Sequence, residues 1–125
     1  MFKITENKSI YVTRGDIANI VVSAMEGEEL HIFKPTDVIR FVAYEKGACN
    51  QIVLAKSVTV EEKTDKVLVQ LTTEDTTIGE LVNKPVDYWY EVELNPETAP
   101  QTIIGYDEKG PKIFRIYPEG VILGA

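Results

Sequence analysis

A chain of 125 residues is long enough for one domain with a two-layer core, without metal or disulfide staples. Its composition, 44% hydrophobic and 26% charged, is that of a soluble globular protein, and no run approaches the roughly 20 apolar residues that span a bilayer. A net charge of −7 and a pI near 4.7 repel phosphate backbones, and no Lys/Arg cluster offsets them locally, so neither nucleic acid nor membrane is expected as a partner.

The first ten residues, MFKITENKSI, carry no apolar core behind Lys3, which argues against a secretory leader. The Asn7-Lys8-Ser9 sequon is then read as accidental. A single cysteine, Cys49, forbids an internal disulfide and fits assembly in a reducing cytoplasm.

Residues 2–5 and 9–13 are short strand candidates. Thr13-Arg14-Gly15-Asp16 reads as a β-turn, because Gly15 supplies conformational freedom and Asp16 can bond the backbone. Residues 17–24 (IANIVVSA) follow as a strand, with Ile20, Val22 and Ala24 on one face and Val21 on the other. A loop from 25 to 35 turns at Glu26-Gly27-Glu28-Glu29, with Leu30, Ile32 and Phe33 as a short strand. Residues 38–45 alternate: Ile39, Phe41 and Ala43 point one way, Val38, Arg40, Val42 and Tyr44 the other. After a turn at 46–50, residues 51–61 return as a strand. There Ile52, Leu54, Val58 and Val60 share a face, with Lys56 at a rim or bulge. Glu62-Lys63-Thr64-Asp65 is a hairpin loop, and residues 66–72 align Val67, Val69 and Leu71.

Between Thr73 and Val82 the period changes. A capping threonine and first-turn acids predict a single helical turn that brings Ile78 and Leu81 over the open end of the core. Its β-branched threonines and Gly79 limit its length. Asp87 to Asn95 (DYWYEVELN) is the cleanest alternating run in the chain, with Tyr88, Tyr90, Val92 and Leu94 opposite Trp89, Glu91 and Glu93. A period of two with aromatic and β-branched residues marks a half-buried strand, taken here as central. Residues 102–106 and 112–117 supply the last strands, around a turn at Glu108-Lys109-Gly110-Pro111. Eight to nine strands with Gly/Asn/Pro/Asp turns predict one all-β domain, an immunoglobulin-like β-sandwich with one short helical turn near residues 73–82.

Catalysis is poorly supplied. The one histidine, His31, lies in a loop, no G-x-S-x-G elbow exists, and a Cys49–His31 pair would need two separate loops to meet. Neither His31 with Cys49 nor the acids at 26–29 and 74–75 have the spacing of a metal site, so no metal and no cofactor are expected. Arg14-Gly15-Asp16 reads as turn residues rather than as a receptor tripeptide. Trp89 remains open between three places: core, protein interface, or sugar stacking. The apolar tail 120–125 (GVILGA) could add a strand to a neighbouring sheet edge, which makes Val121, Ile122 and Leu123 candidate interface residues beside Trp89.

Several pieces in order carry a resemblance: T-R-G-D at Thr13 to Asp16; Phe33-Lys34-Pro35-Thr36-Asp37-Val38-Ile39-Arg40-Phe41; Glu74-Asp75-Thr76; Y-W-Y-E-V-E-L from Tyr88 to Leu94; and Q-T-I-I-G-Y from Gln101 to Tyr106. The series resembles small virion-structural modules of phages and prophages of Gram-positive bacteria. It is similar to the N-terminal β-sandwich domain of upper baseplate proteins. The resemblance implies a non-enzymatic tail or baseplate protein that self-associates, as a homo-oligomer, or docks other virion proteins. It would reside in the virion, and in the host bacterial cytoplasm during assembly. It carries over no residue roles one by one. A carbohydrate-binding β-sandwich module is the alternative, and would require several coplanar exposed aromatics.

Overall fold

The computed structural model describes residues 1–79 and 84–119, and of Cys49 the backbone only. Eleven strands and one helical turn follow one another: β1 (Phe2–Ile4), β2 (Ile10–Thr13), β3 (Ala18–Val22), β4 (Met25–Glu26), β5 (Glu29–Leu30), β6 (Val38–Glu45), β7 (Ala48–Thr59), β8 (Val67–Leu71), α1 (Thr73–Thr76), β9 (Val86–Leu94), β10 (Gln101–Ile104) and β11 (Lys112–Tyr117). The main sheet runs β1-β2-β11-β9-β6-β7, with β10 continuing along the β11 side of β9. β2 and β11 are parallel, and the other pairs are antiparallel. The second layer is thin, β3 with β8 alone, and β4–β5 is a small hairpin beyond β3. With β3 and β8 in one layer and the seven-stranded main sheet in the other, the architecture is sandwich-like and all-β. The expected all-β fold with one helical turn is the fold adopted.

Alternation in sequence becomes alternation in burial. On β3 and β8 every second residue is buried, and β9 turns Tyr88, Tyr90, Val92 and Leu94 inward. Tyr90 stacks on Phe41 at 5.3 Å between centroids, and Phe114 meets Phe41 edge-on at 5.4 Å. These rings pack with Ile20, Val22, Val69 and Leu71 of the thin layer into one core. The Tyr90 hydroxyl is satisfied within it by donating to the Lys8 carbonyl.

The Thr13–Asp16 turn closes through the Asp16 amide to the Thr13 carbonyl at 2.9 Å, with Gly15 at φ 89°. Its Arg14 side chain is spent internally, donating to the Ile78 and Gly79 carbonyls and to Glu119, so the tripeptide is a structural turn. The helical turn spans four residues, and its cap is Thr72, one residue before the expected Thr73. Thr72 and Asp75 form a reciprocal capping box. Ile78 packs against the core as expected, whereas Leu81 lies outside the described residues.

Four expectations are corrected. The strands among the described residues number eleven rather than eight or nine, because residues 25–30 fold into the β4–β5 hairpin, while the strand expected at 102–106 is present as β10, Gln101–Ile104. The 46–50 turn is tighter, since β7 already begins at Ala48. Leu30, Ile32 and Phe33 do not form a strand together: Leu30 ends β5, while Phe33 makes an isolated bridge to Thr64 and is fully buried. Ile52 does not share the face of Leu54. Register shifts where Ala43 opposes Leu54 but Tyr44 opposes Ile52, so the bulge turns Ile52 outward, 58% exposed, and leaves Leu54 inside. Lys56 does sit at the rim, with its ammonium 2.9 Å from Asp75.

Candidate functional site

The feature that needs an explanation is the outer face of the main sheet. Pairing register sets Ile52, Tyr44, Trp89 and Ile113 in one row across β7, β6, β9 and β11. Trp89 stands on this outer face, half-buried, and is not part of the core between the sheets. Tyr106 leans over it from the segment after β10, with ring centroids 6.0 Å apart and planes at 64°, and is itself 66% exposed. Neighbouring rows hold Asp87 beside Arg115 and Tyr11, and Arg40 beside Glu93.

Every carboxylate β9 presents on this face is engaged. Arg115 grips Asp87 through two bonds, at 2.6 and 3.1 Å, and its guanidinium lies 5.0 Å above the Tyr11 ring. The Asp87 bond is also the main cause that pushes the Arg115 pKa upward, so this charge is fixed. Arg40 bonds Glu93 at 3.1 Å, and Glu91 accepts from the Tyr44 hydroxyl at 3.0 Å. Tyr11 and Tyr117 add a second edge-on pair at 5.9 Å. On a chain of net charge −7, this face is aromatic with its charges internally compensated. That combination permits close approach of another macromolecule with little uncompensated desolvation.

Gly105 makes the Trp89–Tyr106 arrangement possible. A Cβ there would lie 2.7 Å from Thr102 Cγ2 and 3.4 Å from Glu91 Cγ, so a larger residue would force the Thr102 side chain or the chain leading to Tyr106 to shift. Sequence alternation placed Trp89 opposite Tyr88 and Tyr90. It could not show Tyr106, Ile113 or the Arg115–Asp87 pair, because those depend on which strands flank β9. The other candidates, Val121, Ile122 and Leu123, lie outside the described residues.

His31 sits elsewhere, beside a 510 Å³ cleft between the end of β3 and β10. Its Nδ1 is 2.8 Å from Glu26, its ring meets Phe33 edge-on, and its Nε2 is enclosed without a partner. No nucleophile completes that pair into a catalytic arrangement among the described residues lining the cleft, whose hydroxyls belong to Ser23 and Thr102 without a bond to His31. No group of three or more His, Cys, Asp or Glu among the described residues is placed to hold a metal ion. None of the described helices is long and apolar enough to cross a membrane. No family model, curated protein or solved structure matches the chain.

Proposed function

We propose that this protein is a non-enzymatic structural module of a phage or prophage virion, of the tail or baseplate, that acts by docking other virion proteins or copies of itself. The reading places it in the virion, and in the host bacterial cytoplasm during assembly, and needs no cofactor. The ordered T-R-G-D, E-D-T and Y-W-Y-E-V-E-L pieces support it from the sequence side. The observation that carries it is the outer face built on Trp89 and Tyr106, where aromatic surface is offered and each neighbouring carboxylate of β9 is already paired. Large amphipathic rings surrounded by satisfied polar groups are what protein interfaces use as anchors.

The carbohydrate-binding alternative draws on the same rings. It has less support, because rings at 64° do not make one flat platform and the Tyr44 side chain is largely buried. Pull-down of tail and baseplate proteins from disrupted virions separates the readings. Capture that falls at least about tenfold in Tyr106→Ala and Trp89→Ala, with folding retained, supports docking. Retention by immobilised polysaccharide instead, lost in the same variants, would establish the sugar module. Turnover of a polymer or peptide that disappears in His31→Ala would replace both with an enzyme.

A further inference from the structure

Among the described residues β3 pairs with β8 only, so its other edge has no strand beside it. Unpaired edges are normally protected by brevity, by charge, by proline or by a bulge. The remaining edges show such devices. β1 has three residues and contains Lys3; β7 is bulged; β10 has four residues and a register shift; and β8 shares a surface depression with Glu61, Glu62 and Lys66. β3 shows none. Its run Ile17 to Met25 (IANIVVSAM) has no charge, no proline and no glycine, and is rich in β-branched residues.

The outward row of this thin layer is equally bare. Ile17, Asn19, Val21 and Ser23 come from the β3 run, and Leu68 and Gln70 from β8, all of them exposed and none charged. Val21 stands directly opposite Leu68, 58% and 51% exposed, and the Asn19 and Gln70 amides bond at 2.8 Å. Ile17, Val21 and Leu68 are three of the ten large apolar side chains exposed among the described residues, and the exposed acids Glu26, Glu28 and Glu29 of the β4–β5 hairpin begin only beyond this row.

We infer that β3 is the edge through which two copies of this chain pair, antiparallel about a two-fold axis, to give a continuous β8-β3-β3-β8 sheet. Charge selects the occupant. Two molecules of charge −7 repel over most of their surfaces and can meet without opposing carboxylates where the patch is uncharged. Amides donate and accept at once, so an Asn/Gln patch is complementary to itself, as a two-fold contact requires. The inference deepens the assembly reading and rests on it for its biological sense. The dimer and the Trp89 face are on different layers, so either can fail alone.

A five-residue edge gives a contact at the small end of the stable range, so the dimer dissociates on dilution. Sedimentation equilibrium from micromolar to near-millimolar protein is expected to show a monomer–dimer equilibrium. Val21→Lys, which sets a charge beside the paired edge without entering the core, raises the dissociation constant at least about tenfold; Asn19→Lys does the same. Trp89→Ala leaves it unchanged. Amide exchange in β3 slows as concentration rises, in alternate residues. A strict monomer throughout, a dimer indifferent to both lysine variants while folded, or one lost in Trp89→Ala would each overturn the inference.

Discussion

Thr76 is wholly shielded from solvent, and its hydroxyl donates to the Asp16 carbonyl at 2.7 Å, tying the helical turn to the chain just before β3. Replacing it with valine keeps the volume but leaves the shielded site without its hydroxyl and the half-buried carbonyl without this donor. Thr76→Val is expected to cost about 1–3 kcal/mol in urea unfolding, near the desolvation penalty of an unpaired acceptor. Asp75 and Asp37 belong to the same class of built-in polar joints. Burial pushes the Asp75 carboxyl up, but the Thr72 amide and Lys56 outweigh it and leave its pKa lowered. For Asp37 the Lys34 amide is the main lowering cause, with Asn95 assisting against desolvation. A carboxylate whose folded pKa is depressed contributes stability that is complete above its unfolded value near 4 and lost as pH falls through the folded value. The protein should therefore weaken below about pH 4. Asp75→Asn should flatten that acid slope while lowering stability at pH 7. A slope unchanged by Asp75→Asn and Asp37→Asn would place the acid sensitivity elsewhere.

Strands were legible in this sequence where one face is buried throughout, because a strict period of two leaves no other reading. β3, β8 and β9 are such elements, and their inward residues are those the alternation marks. Legibility fails where the ladder slips. Ile52 and Leu54 are two residues apart and still face opposite ways, because the extra residue in β7 is a property of its pairing with β6. The outer face around Trp89 failed in the same manner. Trp89 could be assigned a side of its strand, but Tyr106 and Ile113 reach it through strand order and a close glycine, which no local pattern encodes. The bulge yields a paired prediction. Phe41→Ala, at the junction of β6, β9 and β11, should cost about 3–5 kcal/mol, because Tyr90 and Phe114 both lose their partner. Ile52→Ala should stay within about 0.5 kcal/mol, as an exposed site does. Comparable costs at the two positions would mean that Ile52 is covered in solution.

At the scale of the whole molecule the two layers are unequal, and that inequality predicts how the fold opens. β9 lies inside the main sheet, paired to β6 on one side and to β11 and β10 on the other, and it supplies four inward side chains to the core. Its amides cannot be released without separating the layers, so they should exchange with solvent only through global unfolding. The β4–β5 hairpin has two residues in each strand, all exposed, and should exchange by local opening at far lower free energy. β3 is intermediate. Its inward residues Ala18, Ile20 and Val22 are buried against the main sheet, but its backbone is paired on one side only. In dilute solution amides along β3 should split into a protected set facing β8 and a faster set facing outward, whereas β9 shows no such split. Native-state hydrogen exchange resolved by residue measures this directly. Uniform protection along β3 in a demonstrated monomer would mean that its outer edge is covered from within the same chain. Exchange in β9 as fast as in the hairpin would mean that the two layers do not share a single cooperative core.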